Sequence, residues 1–149
     1  MSLTGVARFE QFFRAAAGLD VDKQDLKRYT VFVEHKIHDL IIRAEAAAKA
    51  NGRDVIQPFD LPITKGLQES IHAFRGVDQQ TKLGPLLEQI TPLPPGYLAY
   101  SDETEARLPE IVGGLSLALA RSFKILDPKL KNPASQHWER IFQIFDTLL

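Results

Sequence analysis

The amino-acid sequence predicts an all-α protein made of two similar halves. Apolar residues recur at the 3.6-residue spacing of helices along nearly the whole chain, and no convincing pair of strands is visible. The order short helix, long helix, short helix occurs twice. Two short helices cannot cover the apolar sides of a long one, so we expect the two halves to cross and bury each other's long helices in a single domain, residues 1–149.

The first half is predicted to cover residues 1–76. Gly18 and the pair Asn51–Gly52 supply the left-handed backbone positions at which helices commonly end. Asp22, with Asp25 three residues later, is typical of a capping box at a helix start. Together with the apolar spacing, these signals predict helices over about residues 6–17, 23–50 and 59–75, with the extended segment "RDVI" before the last.

The long helix of this half carries two apolar stripes. The main stripe has clear helical spacing and includes Leu26, Thr30, Val33, Ile37, Leu40, Ile41, Ala44 and Ala48. Val31, Phe32 and Ile42 form a second stripe beside it. We therefore expect a central helix that is contacted from several sides.

The second half is predicted to cover residues 77–149. The Pro-rich segment "TPLPPGYLAY" separates its first helix from its long one, and Asp102 with Glu105 resembles a capping box at the start of the long helix. Pro109 and Gly113–Gly114 predict a kink or a break within that long helix. The predicted helices span about residues 81–90, 102–126 and 134–148.

Composition excludes several classes of function. The chain has no cysteine, so disulfides, thiolate catalysis and cysteine-ligated zinc are excluded. Its net charge of -1 argues against a protein that binds polyanions over its whole surface. The longest apolar run, residues 111–120, is too short to span a bilayer, and the N-terminal residues do not form a signal peptide. We expect a cytoplasmic protein without a membrane partner.

The stretch "NGRDVIQPFD" contains the most conspicuous candidate site. Arg53 and Asp60 lie seven residues apart, on either side of a short β-prone segment and a proline. From the residues alone, the pair could grip a phosphate, form a catalytic dyad or join a loop to a helix.

The remaining candidates for catalysis or metal binding are weak. His35 and His38 lie one helical turn apart and could share a metal, but no motif supplies a third ligand. We expect them to be partly buried in packing or hydrogen bonds between the halves, and we assign no role to His72. The chain lacks a nucleophile elbow and a phosphate-binding glycine loop, so we expect no catalytic residue, no metal and no cofactor.

The stretches "AAGLDVDK", "NGRD", "DLP", "KGLQE", "LDP" and "LKNP" carry a resemblance that covers nearly the whole chain. They resemble a bacterial family of unknown function that carries two histone folds in one polypeptide. The first half is also similar to archaeal histones, with a glycine turn, an acidic cap, a long helix ending in alanines and a Gly-Arg loop followed by an aspartate. The resemblance implies a histone fold in each half and an intramolecular pseudo-dimer.

The resemblance also implies roles for particular residues. In histones an arginine and an aspartate at this spacing form a salt-bridging clamp, which implies a structural clamp for Arg53 and Asp60. Archaeal histones carry basic residues in the loops that touch DNA, whereas this chain has none at those places, which are Asp20, Asp54, Val55 and Gln57. An acid that faces phosphate lowers affinity, so DNA wrapping is not expected.

Histone pairing implies that the charged residues separate between the two ends of the molecule. One end would join the loop near Lys23 and Lys27 to Lys129 and Lys131, and the other would join Arg53 and Asp54 to the acidic "SDETE". Charged residues of this kind are commonly ordinary solvated residues of a protein surface. If the basic end binds DNA, the contact is expected to be weak, single-ended and dependent on salt.

Together these observations predict a non-enzymatic module that interacts with a protein partner. A histone-like protein with weak DNA binding is the alternative. Because both halves lie in one chain, no second copy is needed for folding, and we expect a monomer.

Overall fold

The computed structural model describes residues 3–91, 96 and 98–149, and helices dominate those residues. They form six α-helices: α1 Leu3–Ala17, α2 Lys23–Ala50, α3 Lys65–Thr81, α4 Gly84–Ile90, α5 Asp102–Leu126 and α6 Ser135–Leu148. Two strands of two residues each, β1 Val55–Ile56 and β2 Ala99–Tyr100, complete the regular structure together with a 3₁₀ turn at Pro58–Asp60. The predicted all-α class is confirmed. Within the described residues, no helix is long and apolar enough to cross a membrane.

Helix α2 begins and ends at the residues that the sequence indicates. The Asp22 carboxylate accepts a hydrogen bond from the Asp25 backbone N–H at 2.8 Å, and the Asp25 carboxylate accepts one from the Asp22 N–H at 3.0 Å. This is the predicted capping box, which satisfies two backbone donors at the helix start. Gly18 and Gly52 adopt positive φ angles of 63° and 69°, as expected at the ends of α1 and α2.

Helix α3 differs from its predicted bounds at both ends. It starts at Lys65 rather than near Phe59, because Pro62 favours extended backbone at Leu61 and Thr64 caps the helix by accepting from the Leu67 N–H at 3.2 Å. The helix then passes through residue 76 and ends only where Lys82 adopts a φ of 51°. The division at residues 76 and 77 therefore lies inside α3. Helix α4 starts later than predicted, at Gly84.

Helix α5 is continuous from Asp102 to Leu126, so of the predicted kink or break, the break is wrong. Its cap is Ser101, whose hydroxyl accepts from the Thr104 N–H at 3.2 Å, and not Asp102. Gly113 and Gly114 face α3 instead of interrupting α5. A Cβ atom at Gly114 would lie 2.5 Å from Cγ1 of Ile71, and one at Gly113 would lie 2.4 Å from Cδ1 of Phe74. The glycines allow two helices to approach closely.

Loops pair at both ends of the molecule. Strands β1 and β2 are parallel neighbours, with Val55 opposite Ala99 and Ile56 opposite Tyr100. At the other end, the Asp20 backbone N–H donates to the Lys131 carbonyl at 2.7 Å. The loop after α2 thus lies beside the segment before α5, and the loop after α1 lies beside the loop after α5. Residues 92–95 and 97 of the predicted Pro-rich connector lie outside the described residues.

The core joins residues from both halves of the sequence. The Tyr29 hydroxyl lies 2.6 Å from the Ser116 hydroxyl, and the Trp138 indole N–H donates to the Asp25 carboxylate at 2.8 Å; both contacts are buried. Burial raises the pKa of the Tyr29 hydroxyl well above its ordinary value. Each contact joins α2 to a helix more than 80 residues away in the chain.

The second apolar stripe of α2 is only partly buried. Phe32 is buried and stacks on Phe142 with ring centroids 5.6 Å apart. Val31 and Ile42, however, are 45% and 51% exposed, so only part of this stripe is covered by other helices.

Candidate functional site

Arg53 and Asp60 form a bidentate ion pair. The guanidinium nitrogens Nη1 and Nη2 lie 2.5 Å and 2.6 Å from Oδ2 and Oδ1 of Asp60. The Gln57 backbone N–H also donates to Oδ2 at 2.8 Å. Because Arg53 follows α2 and Asp60 ends the 3₁₀ turn, the pair ties the loop after α2 to the segment that leads into α3. Both carboxylate oxygens are therefore occupied by protein donors.

The electrostatics of this pair favour its charged form. The hydrogen bonds from Arg53 hold the pKa of the Asp60 carboxyl below its ordinary value, although burial opposes that shift. The same hydrogen bonds raise the pKa of the Arg53 guanidinium. The guanidinium also lies 4.8 Å from the ring centroid of Phe59, which is 76% exposed. Arg53 is thus engaged both by a carboxylate and by an aromatic face.

Acidic side chains surround the strand pair close to Arg53. The backbone there is well satisfied, since the Ile56 carbonyl accepts from the Thr104 hydroxyl at 2.7 Å and from the Ser101 N–H at 3.1 Å. The carboxylates at this end are exposed: Asp54, Asp102, Glu103 and Glu105. Burial, followed by the charges of Glu45 and Glu105, raises the pKa of the Tyr100 hydroxyl. This end of the molecule therefore presents four exposed carboxylates.

The opposite end brings together the loop after α1, which leads into the start of α2 with Lys23 and Lys27, and the loop after α5 with Lys129 and Lys131. The hydrogen bond from Asp20 to Lys131 joins those loops, and the Arg28 guanidinium donates to the Ser135 hydroxyl at 2.8 Å, which joins the starts of α2 and α6. All four lysine residues are exposed: Lys23, Lys27, Lys129 and Lys131. Asp20 contacts Arg14 at 3.4 Å. This end therefore presents basic side chains from the start of α2 and from the loop after α5.

His35 and His38 do not pack between the halves. Both residues are exposed on α2, and His72 is exposed on α3, so the expectation of partial burial for the first two is wrong. Among the described residues, no group of three or more histidine, aspartate or glutamate side chains is arranged to hold a metal ion. His137, by contrast, has a structural contact, since its Nδ1 accepts from the Ala134 N–H at 2.8 Å.

Lys36 is a buried charged residue that the sequence patterns did not single out. Its side chain is only 4% exposed, and its ammonium lies 2.5 Å from a carboxylate oxygen of Asp146 and 3.3 Å from one of Asp39. Asp146 belongs to α6, so the contact links the middle of α2 to the end of α6. The sequence did contain a signal that Lys36 is buried. The residue lies three positions after Val33 and four before Leu40, on the buried stripe of α2.

Two neighbouring cavities lie beside Lys36 and the end of α6. The first has a volume of about 440 Å³ and lies between α2, residues 62–64 and α6. The second has a volume of about 440 Å³ and lies between α3, α5 and α6. Four residues line both cavities: Thr64, Leu115, Leu148 and Leu149. The walls are mostly aliphatic, which is typical of sites that hold apolar molecules.

The protein is helical, and the order of short, long and short helices occurs twice in it. Loops from the two sets of helices lie side by side at both ends of the molecule. The family model described as a domain of unknown function, DUF1931, matches residues 9–146. The chain therefore belongs to the DUF1931 family.

Relatives in sequence cover most of the chain. An uncharacterised protein of Aquifex aeolicus strain VF5 is 30% identical over 142 residues, which are 95% of this chain and 82% of the relative. A second uncharacterised protein of the same strain is 30% identical over 128 residues, or 77% of this chain and 74% of the relative. The similarity thus extends across both halves.

Solved structures share the complete architecture. A crystal structure of a protein from Thermus thermophilus is 50% identical, with a TM-score of 0.84 and coverage of 97% of each chain. A 1.9 Å crystal structure of a protein from Aquifex aeolicus is 29% identical, also with a TM-score of 0.84, and covers 97% of this chain and 95% of that chain. The arrangement of helices is therefore common to homologues from different bacteria.

Proposed function

We propose that this protein is a non-enzymatic histone-fold module in which two histone folds pair within one chain. The observation that carries the proposal is the reciprocal pairing of loops, β1 with β2 at one end and Asp20 with Lys131 at the other. Two paired histone folds bring the first loop of each fold beside the second loop of the other. The doubled order of short, long and short helices supports the same interpretation.

The proposal gives Arg53 and Asp60 a structural role. A clamp requires a direct contact between a loop and the segment before the next helix, and the bidentate pair provides one. Asp60 accepts from Nη1 and Nη2 of the guanidinium, and its carboxylate is buried, so a ligand phosphate would compete with it for these two nitrogens. This competition favours a clamp over a phosphate site.

The biological role that we propose is the binding of a protein partner by a self-contained monomer. The core contacts between Tyr29 and Ser116 and between Asp25 and Trp138 already join the two halves. We expect light scattering to give the mass of one chain, 16.7 kDa, at micromolar concentration. An obligate dimer at that concentration would contradict the pseudo-dimer.

Weak binding of DNA is the second candidate, and the basic end supports it. The lysines at the start of α2 and on the adjoining loop after α5 are exposed, where they could neutralise neighbouring phosphates: Lys23, Lys27, Lys129 and Lys131. The exposed carboxylates at the opposite end oppose wrapping, so contact would be made at one end only. The protein-partner role remains the leading proposal because the net charge is -1.

An anisotropy titration with a short DNA duplex at about 50 mM salt separates the two candidates. The DNA-binding candidate predicts binding at micromolar protein that weakens steeply with added salt and is lost when all four lysines are changed to glutamine. Absence of binding at that salt excludes it. The protein-partner proposal predicts that a partner co-purifying in stoichiometric amount is retained by the same quadruple variant.

A further inference from the structure

The end of helix α5 exposes two adjacent aliphatic side chains. Ile125 is 78% exposed and Leu126 is 54% exposed. Among the exposed large hydrophobic residues in the described part of the chain, these two are the only ones that are adjacent in sequence. Ile144 and Leu148 of α6 extend this apolar surface, since both line one cavity with Ile125 and another with Leu126. A partner that covers the surface would remove apolar area from water, which favours binding.

This aliphatic pair lies at the basic end of the molecule. Lys124 directly precedes the pair, and its side chain reaches the loop after α1, because a Cβ atom at Gly18 would lie 3.9 Å from Cε of Lys124. Lys129 follows Leu126 after three residues, and Arg140 lines two cavities with Leu126. Basic side chains from α5, α6 and the loop after α5 therefore border the same apolar surface.

The charge at this end remains positive when every acidic neighbour is counted. Residues 14–28 and 123–140 contain eight arginine and lysine residues and five aspartate and glutamate residues, a surplus of three positive charges. Arg121 and the terminal carboxylate of Leu149 line one cavity and offset each other. Elsewhere the chain carries more acidic than basic residues, since its net charge is -1. The positive surplus is therefore concentrated beside the aliphatic pair.

The opposite end would be held away from a negatively charged surface. It presents four exposed carboxylates: Asp54, Asp102, Glu103 and Glu105. Helix α2 runs from one end to the other over 28 residues, or about 42 Å. That separation exceeds the screening length of about 8 Å at physiological ionic strength. A charged surface would therefore attract one end of the molecule without attracting the other.

The aliphatic pair favours a lipid bilayer over DNA as that surface. DNA phosphates can engage lysine and arginine, but the duplex backbone offers no apolar phase for Ile125 and Leu126. An anionic bilayer offers both, because lipid head groups attract basic residues and the acyl chains below them accept apolar side chains. The expectation of no membrane partner rested on the lack of a spanning segment, and a peripheral contact does not need one.

We propose that the basic end binds the surface of an anionic lipid bilayer, with Ile125 and Leu126 inserted among the head groups and the surrounding lysines against lipid phosphates. The contact is peripheral and reversible, because two aliphatic side chains bury little area. It shares the lysines of the DNA-binding candidate but adds the aliphatic pair, which that candidate does not use. It does not rest on the proposed histone-fold function.

Co-sedimentation with unilamellar vesicles at about 50 mM salt tests the proposal. Vesicles of equal parts phosphatidylglycerol and phosphatidylcholine should bind the protein saturably, and added salt should release it. Vesicles of phosphatidylcholine alone should bind it about tenfold more weakly, because the attraction to anionic head groups is missing. Equal binding to the two kinds of vesicle would overturn the proposal.

A matched pair of variants tests the role of the aliphatic pair. Ile125→Asn should weaken binding to the mixed vesicles about fivefold, because less apolar area leaves water. Ile42→Asn makes the same change at a 51% exposed position farther along α2, and it should bind as the unchanged protein does. Both side chains are exposed, and circular dichroism checks that both variants fold. Equal affinities in the two variants would contradict insertion of Ile125.

Fluorescence quenching measures insertion directly. The native Trp138 is buried, so the tryptophan introduced in Ile125→Trp is the exposed reporter. Phosphatidylcholine with brominated acyl chains, mixed with phosphatidylglycerol, should quench this reporter but not the one in Ile42→Trp. Absence of quenching in Ile125→Trp would show that charge alone holds the protein, which would overturn the proposal.

Two other occupants of this surface give different results. If DNA covers the aliphatic pair, Ile125→Asn should weaken binding in the anisotropy titration, whereas the bilayer proposal predicts no change there. If a second copy covers it, the unchanged protein should form a dimer without vesicles, and Ile125→Asn should abolish that dimer. Either result would overturn the proposal.

Discussion

Arg53 illustrates how a charged loop residue can be held by several partners at once. It donates to both oxygens of Asp60 and lies against the Phe59 ring. Arg53→Ala should lower the melting temperature by several degrees, because the Asp60 carboxylate, whose side chain is 2% exposed, loses its counter-ion. Thermal unfolding followed by circular dichroism measures the change. Asp54→Ala, an exposed neighbour, is the control, and equal melting temperatures in both variants would contradict the clamp.

The same pair should make stability depend on pH in a defined direction. The folded-state pKa of Asp60 lies below its ordinary value of 3.8, so the ionised carboxylate stabilises the fold above that pH, and this contribution is lost as the pH falls through the folded pKa. The difference in urea midpoint between the unchanged protein and Asp60→Asn should be largest near neutral pH and should shrink in acid. A difference that stays constant as the pH falls well below the ordinary pKa would argue against the ion pair as its source.

Individual residues were predictable where their role is local. The capping pair Asp22 and Asp25 and the glycine at Gly52 follow from short-range backbone chemistry, and the structure confirms them. The direct contact of Arg53 with Asp60 followed only from the resemblance to histones. The burial of Lys36 could have been predicted from its place on the apolar stripe of α2. Its contact with Asp146 could not, because that residue is 110 residues away and no short-range pattern reveals such a contact.

At the scale of elements, the close approach of α5 to α3 depends on glycines, which have no side chains. A Cβ at Gly114 would lie 2.9 Å from the backbone nitrogen of Ile71, and backbone atoms cannot move aside easily. Gly114→Ala should therefore destabilise the protein by about 1–3 kcal/mol through overpacking. Gly76→Ala, in α3, would place its methyl group in open space and should instead stabilise the protein by about 0.5–1 kcal/mol. Urea unfolding of both variants gives the comparison, and a stabilising Gly114→Ala would refute the close packing.

The last turns of helix α6 should depend for their order on the buried ammonium group of Lys36. Lys36 contacts Asp146 of α6 and also Asp39, which belongs to its own helix α2. Asp146→Asn should speed up hydrogen exchange of amides 144–148 several-fold, because the link between the helices is weakened. Asp39→Asn removes a contact to the same ammonium without touching α6, so it should leave exchange in α6 unchanged. Equal exchange in the two variants would show that Asp146 does not hold the helix end.

Element boundaries were less predictable than the elements themselves. The start of α3 was predicted about six residues too early, because the apolar and proline residues before it fit a helical first turn as well as a 3₁₀ turn. The glycines of α5 suggested a break, since the sequence does not show that Ile71 and Phe74 face them. In each case a tertiary contact or a competing turn decided the outcome.

At the scale of the whole molecule, the helical class and the doubled order of helices could be predicted because they depend on periodicity along the chain. The two cavities beside α6 could not, because they arise where α2, α3, α5 and α6 meet and Leu148 remains open to solvent. Cavities of this kind depend on how well distant surfaces fit together. A sequence pattern records which residues are apolar but not where their packing is incomplete.

Trp138 gives the molecule an intrinsic optical reporter. It is the only tryptophan in the chain, it is 1% exposed, and its ring meets Phe123 edge to face with centroids 4.9 Å apart. Because its indole donates to Asp25 near the start of α2, its emission reports on the contact between the earliest long helix and the final helix. Fluorescence of the unlabelled protein can therefore report when α2 and α6 come into contact during refolding. The time course of that signal can be compared with the recovery of the helical circular dichroism signal.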